Sequence, residues 1–225
     1  MKIYYPKYSQ VEINELIKKG TLHLSDADLS GLDFSNTNLS SSYLVDANLS
    51  FSDLTGANLT GANLTGADLH SANMVDANLT DANLDNTDLS GANFGGADLR
   101  SQYLIYASLS RANLMMANLS KVDLSGADLS RADLGYADLS HAVLRKAFLS
   151  HANLKCANLR EANLRGANLV YTHLAETDLR GADLRGADLG RAGMKGAYVS
   201  GAKYDENTHW PEGVDPKAAG AIFTP

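Results

Sequence analysis

An apolar residue recurs at every fifth position from Leu24 to Val199, without a single insertion or deletion. Of these 36 positions, 31 are Leu, and the others are Phe34, Met74, Phe94, Met194 and Val199. Two residues before each one, Ala is the commonest residue (26 of 36), and between them stands Asp or Asn (27 of 36). The unit reads Ala-(Asp/Asn)-Leu-x-x, as in Ala57-Asn58-Leu59-Thr60-Gly61. A period of five matches neither the 3.6 of an α-helix nor the 2.0 of a strand, so no ordinary amphipathic element carries it. Within one unit, however, Ala and Leu lie two apart and share a face of an extended segment, while Asp or Asn points away. A turn at x-x, where Gly, Ser, Asp and Asn are frequent, closes the step. Repeating that step winds a coil lined by Leu and Ala. Its backbone groups must then pair with the coils above and below, at about 4.8 Å per layer. All four prolines (Pro6, Pro211, Pro216 and Pro225) lie outside residues 22–201, where a ladder hydrogen bond would be lost.

Over residues 22–201 these units closely resemble the pentapeptide-repeat family, and their regularity is similar to that of cyanobacterial members. The resemblance implies an all-β solenoid, a right-handed quadrilateral parallel β-helix with four units per coil. Thirty-six units then make about nine coils and a rod of roughly 43 Å. Each inward Leu contributes roughly 1.5–3 kcal/mol relative to exposure, so the Leu ladder dominates stability. Positions lacking the inward Ala mark local adjustments, and Gln102, the largest polar one, is expected to bend or widen its coil.

A solenoid needs covered ends. Residues 1–21 are expected to form an N-terminal helical cap, 22–201 the β-helix and 202–225 a C-terminal cap or tail. Ser9 and Glu12 match a capping box, with Tyr8 and Ile13 as a hydrophobic staple. Val11, Ile13, Leu16 and Ile17 supply the apolar positions, and Gly20 a stop. In the tail, Asp215-Pro216-Lys217-Ala218-Ala219 fits one helical turn with Asp215 as N-cap. The tail also offers a dimer contact, which leaves monomer and C-terminally mediated homodimer both open.

A net charge of −7 argues against direct nucleic-acid binding. One cysteine, Cys156, excludes an internal disulfide and a zinc site of several thiolates, and suits a cytoplasmic location. No apolar run is long enough for a membrane, and Met1 to Pro6 lacks the apolar stretch of a secretion signal. The six histidines form no single column, the abundant Asp, Asn and Ser are repeat residues, and a Leu-filled core leaves no substrate pocket. The reading is therefore a non-enzymatic scaffold without cofactor or metal, whose partner is another protein.

With four units per coil, residues twenty apart stack. Arg145, Arg165 and Arg185 make one column and Arg160 and Arg180 a second, with Lys146 beside the first. Like charges stacked so closely repel, and Asp178 and Asp183 stand near enough to relieve them. These arginines are the candidate contact for an acidic partner. Met116 and Tyr136 share another outward column with Cys156. Tyr43, Val45, Tyr103, Ile105 and Tyr106 share a further face, and Val143 and Phe148 replace the usual Asp or Asn. Outward apolar clusters mark partner surfaces. Residues 22–120 hold 11 acidic and 2 basic residues, whereas 121–201 hold 9 acidic and 11 basic. Family resemblance also implies an alternative, modulation of DNA gyrase or another topoisomerase by DNA mimicry. Only the acidic first half fits the evenly acidic rod which that requires.

Overall fold

Backbone pairing in the computed structural model, which describes residues 7–19 and 22–225, follows an offset of twenty from His23 to Lys203. Asp28 pairs with Asn48, and Asn48 with Asp68; Asn73 pairs with Asn93, Asn118 with Asp138, and Asn163 with Asp183, all parallel. Twenty residues are four units, so each coil has four sides of one unit each. The Leu N–H donates to a carbonyl in the next coil (Leu59 N to Asn78 O, 2.8 Å), and the preceding N–H donates to the coil before (Asn58 N to Thr37 O, 2.9 Å). Leu and Ala of successive units fill the axis, almost all fully buried, with Phe34 and Phe94 among the largest side chains there. The opening residues Met1 to Pro6 and the expected stop, Gly20, lie outside the described residues.

Each corner is a four-residue turn in which the Ala N–H donates to the Leu carbonyl three residues back (Ala62 N to Leu59 O, 2.9 Å). Its third residue has positive φ, near 60° even for Phe51, Met116, Arg131 and Tyr136. That conformation disfavours an L-residue by about 1–2 kcal/mol. It persists because the same residue's N–H bonds into the next coil, as Tyr136 N does to Lys155 O at 2.9 Å. Bulky residues are therefore common where sequence chemistry favours small ones.

The outward Asp and Asn have a local task. Asn58 Oδ1 accepts from Thr60 N–H (3.1 Å) and from the Thr60 hydroxyl (2.6 Å), fixing the entry to the turn. Asn Nδ2 also bonds between coils, as Asn113 does to Asn93 Oδ1 at 2.8 Å.

At the front, α1 (Gln10–Lys19) begins with the expected capping box: Ser9 N donates to Glu12 Oε2 at 2.8 Å, and Glu12 N to Ser9 Oγ at 3.3 Å. Ile13 is fully buried, and Tyr8, Leu16 and Ile17 pack against the core. Val11, expected among the apolar positions of the cap, is instead 73% exposed. At about 100° per residue it lies some 200° from Ile13, on the far side of the helix. The Gln10 side chain accepts from Asp33 N (2.8 Å) and donates to Asp33 O (2.7 Å), pairing a strand edge of the first coil.

At the back the register slips by one, since Asp183 pairs with Lys203 but Asp188 with His209. Strand β1 (Lys203–Tyr204) pairs in parallel with β2 (Ile222–Phe223). Tyr204 and Trp210, edge to face at 5.8 Å, pack against the core. Between the strands, Asp215 caps one helical turn by accepting from Ala218 N (3.1 Å), and Ala219 N donates to Asp215 O (3.0 Å).

Among the described residues the ladder between His23 and Lys203 opens at one place. Leu79, Asp81 and Leu84 lack the inter-coil N–H bonds that Leu59, Gly61 and Leu64 make one coil earlier, and the expected pairing of Asn83 with Tyr103 is absent. There Gln102 Nε2 bridges to Leu79 O at 2.8 Å. The widening expected at Gln102 is present, as a groove of about 680 Å³ lined by Ala82, Arg100, Gln102, Tyr103 and Lys121 among others.

Candidate functional site

One side of the rod carries, in stacking order, Tyr103, Asp123, Val143, Asn163 and Asp183. The corner leading into it bears Arg160 and Arg180, and the corner leading out bears Arg145, Arg165 and Arg185. The two arginine columns thus border one flat side. Arg185 donates through Nε (2.9 Å) and Nη2 (2.6 Å) to Asp183, and Arg180 through Nε (2.8 Å) and Nη2 (2.5 Å) to Asp178. Arg160 reaches the same Asp178 carboxylate at 3.6 Å from the neighbouring coil. The hydrogen bond from Arg180 is the main cause holding the Asp178 carboxyl below its ordinary range, and that from Arg185 does the same for Asp183. These aspartates relieve the stacked charges, as the sequence led one to expect.

Arg145, Arg165 and Lys146 form no ion pair. The side is therefore partly neutralised at its C-terminal end and cationic in its middle. Sequence reasoning treated Tyr43, Val45, Tyr103, Ile105 and Tyr106 as a cluster apart from the arginines. The pairing of Tyr103 with Asp123, and of Asp123 with Val143, puts Tyr103 on the same side as the cationic stretch, with Ile105 and Tyr106 on the Arg145 corner. Met116 and Tyr136, both well exposed, sit on a different corner, separated from Arg160 by the Asp138–Asn158–Asp178 side. The structure does not bring them to the basic side.

A corner that sequence reasoning passed over bears Arg111, Arg131, His151, Tyr171 and Arg191. His151 stacks on Tyr171 at 4.9 Å, and Arg191 lies over the same ring and bonds its hydroxyl. The signal was available in the twenty-residue spacing of Arg111 and Arg131.

Among the described residues no group of three or more His, Cys, Asp or Glu is placed to hold a metal ion, and no helix is long and apolar enough to cross a membrane.

Profile comparison matches residues 23–196 to the family described as pentapeptide repeats, in eight copies. The chain belongs to the pentapeptide-repeat family. Members of this family fold as right-handed β-helices, and the pairing above is that of a β-helix. Among solved pentapeptide-repeat structures it is similar to HetL from the cyanobacterium Nostoc sp. strain PCC 7120, which is described as involved in heterocyst differentiation regulation. The two are 30% identical over 85% of this chain and 95% of that one, with a TM-score of 0.43. It is also similar to alr5209 of the same organism, 40% identical over 52% of this chain and 84% of that one, TM-score 0.26. A trypsin-treated form of QnrB1, described as a plasmid-mediated fluoroquinolone resistance protein, is 19% identical over 83% of this chain and 92% of that one, TM-score 0.51. That likeness shows a shared fold. No curated protein sequence matches the chain. Pentapeptide-repeat proteins are in general non-catalytic binding or structural proteins.

Proposed function

We propose that this pentapeptide-repeat chain is a non-enzymatic scaffold that docks an acidic partner protein on the side bordered by its arginine columns. It does so as a quadrilateral β-helix of about nine coils over residues 22–201, ended by a cap within 1–21 and a tail over 202–225. The observation that carries this reading is the contrast along the columns. Arg160, Arg180 and Arg185 are held by Asp178 and Asp183, whereas Arg145 forms no ion pair and Arg165 only adds, from a distance and without direct contact, to the field that lowers the Asp183 carboxyl. Unpaired guanidinium groups on a rigid, flat side are pre-organised for carboxylates. Met116 and Tyr136 would form a separate contact on their own corner. The protein acts in the cytoplasm, without cofactor, nucleic acid or membrane, as a monomer or as a homodimer through the tail, where Ile222 and Phe223 are half exposed. Affinity capture with the native rod and with an Arg145/Arg165/Arg185→Ala variant tests the docking side. A protein retained by the first and lost by the second is expected; one retained equally by both would sink the assignment to the columns.

A second reading, modulation of DNA gyrase or another topoisomerase by DNA mimicry, is favoured by one observation. Residues 22–120 hold 11 acidic residues against 2 basic ones. A gyrase supercoiling assay decides it: absence of inhibition at micromolar protein removes this reading.

A further inference from the structure

On the corner that carries Arg145, the Tyr106 ring packs over Gly126. A Cβ added to Gly126 would come within 2.5 Å of Tyr106 Cδ1, and the φ of +67° there already favours glycine. The ring therefore occupies the space that a side chain at position 126 would take. Two coils on, Lys146 and Arg145 stand beside it, and Phe148 closes the far end of a groove of about 410 Å³ that also includes Ser125. Tyr106 is 78% exposed and Phe148 51%, so two aromatic side chains face solvent at one spot.

Local structure is given up to build this groove. From Asn113 to Asn168 the outward residue of each unit accepts the N–H two residues on, as Asp138 does from Ser140 at 3.0 Å and Asn153 from Lys155 at 3.1 Å. The series is interrupted only at two successive units, Val143 and Phe148, which have no acceptor to offer. Those units flank Arg145 and Lys146. Two turn-fixing hydrogen bonds are exchanged for apolar surface at the point where the unpaired cations stand. The aspartates that pair with Val143 and Phe148 in the preceding coil are engaged in turns of their own: Asp123 accepts from Ser125 N (2.9 Å) and Oγ (2.6 Å), and Asp128 from Ser130 N (2.9 Å). Neither forms an ion pair with Arg145 or Lys146.

We infer that this groove recognises an acidic segment of a partner protein that carries an aromatic side chain. The incoming ring lies between Tyr106 and Phe148, and its flanking carboxylates meet Arg145 and Lys146. This inference rests on the scaffold reading and narrows it, from an acidic surface to an acidic segment with an aromatic anchor. Charge complementarity selects that occupant, because Arg145 and Lys146, which form no ion pair among the described residues, line the groove beside the aromatic rings.

The test uses the full chain, labelled with nitrogen-15, and three five-residue probes: a phenylalanine between pairs of aspartates, an alanine between pairs of aspartates, and a phenylalanine between pairs of lysines. The expected result is saturable binding of the first probe, with amide shifts centred on Tyr106, Gly126, Lys146 and Phe148. The alanine probe binds about tenfold more weakly, and the lysine probe does not bind. Tyr106→Ala, and separately Arg145→Ala, weaken the first probe about tenfold, whereas Arg131→Ala on another corner has no effect. A spectrum otherwise unchanged shows that each variant is folded. Equal binding of the phenylalanine and alanine probes would overturn the inference while leaving docking on the arginine columns intact. No binding of the first probe, or shifts centred elsewhere, would also overturn it, and the capture experiment then decides the scaffold reading by itself. Concentration-dependent shifts at these residues without any probe would assign the groove to a second copy of the chain instead.

Discussion

Gln102 Nε2 donates to the backbone carbonyl of Leu79, 23 residues back and one coil away, at 2.8 Å. Three threonines at the same inward position make the same bond: Thr87 to Leu64 O at 3.0 Å, Thr172 to Leu149 O at 2.9 Å, and Thr177 to Leu154 O at 2.7 Å. Around Thr172 and Thr177 the inter-coil bonds are intact, as in Leu154 N to His173 O (2.9 Å). The glutamine side chain is longer by two heavy atoms, so the same contact acts as a strut. It holds apart the coils that a threonine lets close.

Replacing the strut should close the opening. Gln102→Thr is expected to restore pairing between Asn83 and Tyr103 and to raise stability by about 1–2 kcal/mol through recovered backbone hydrogen bonds. Hydrogen exchange reads it directly. In the native chain the amides of Leu79 and Leu84 exchange faster than those of Leu59 and Leu64, and in the variant the two pairs become alike. Equal protection in the native chain would show that the opening is not a weak point.

Gly126 and Gly96 separate backbone conformation from the aromatic platform. Both have positive φ, but an added Cβ meets nothing within 4 Å at Gly96 and meets the Tyr106 ring at Gly126. Gly96→Ala is expected to lower stability by about 1 kcal/mol, the usual penalty for an L-residue in this conformation. Gly126→Ala should lower it further, and Tyr106→Ala in the same chain should remove the excess. Denaturant melts of these three variants and of Tyr106→Ala alone measure the coupling; additivity would mean that the ring does not rest on Gly126.

Stability should also fall in acid through the aspartates of the basic side. The Asp178 carboxyl is held down first by its hydrogen bond from Arg180, and that of Asp183 by the one from Arg185. A carboxyl whose pKa is lower folded than unfolded adds stability above its unfolded value, about 3.9 for aspartate, and loses it as pH falls through the folded value. The melting temperature should thus be level from pH 8 to about pH 5 and descend below about pH 4. Asp178→Asn is expected to make that descent shallower. An identical acid limb in the variant would count against a role for this carboxylate.

At the front, Ser9→Ala removes the hydroxyl that accepts from Glu12 N and donates to the Glu12 carboxylate, leaving only the backbone N–H of residue 9 on that carboxylate, and should weaken α1 by about 1 kcal/mol. Faster exchange of the Ile13 and Leu16 amides, with the Leu139 and Leu144 amides unchanged, is the expected signature. Global loss of protection would instead show that the rod depends on its helix.

The five-residue period was enough to place Leu and Ala inside and Asp or Asn outside, because two residues of an extended segment set the face and the turn follows at once. It also predicted the disturbance at Gln102, since a long polar side chain cannot fit an axis built for alanine. The capping box was legible because its two partners lie three residues apart. Val11 was misjudged because apolarity alone does not say which side of a helix meets the core. Stacking arithmetic found the arginine columns, but their inequality was not visible, since it depends on which carboxylates reach across a coil.

What the sequence by itself determined is everything repeated: the unit, its inward and outward residues, and the four-per-coil arithmetic that the family resemblance implied. These rest on interactions within one unit or at one constant spacing. Only the tertiary structure decided which charges are paired, where the ladder opens, and that Tyr106 lies over Gly126 beside Arg145 and Phe148. Those features arise between coils, from side-chain length and direction, and a side chain's direction is set by the coil it leans on.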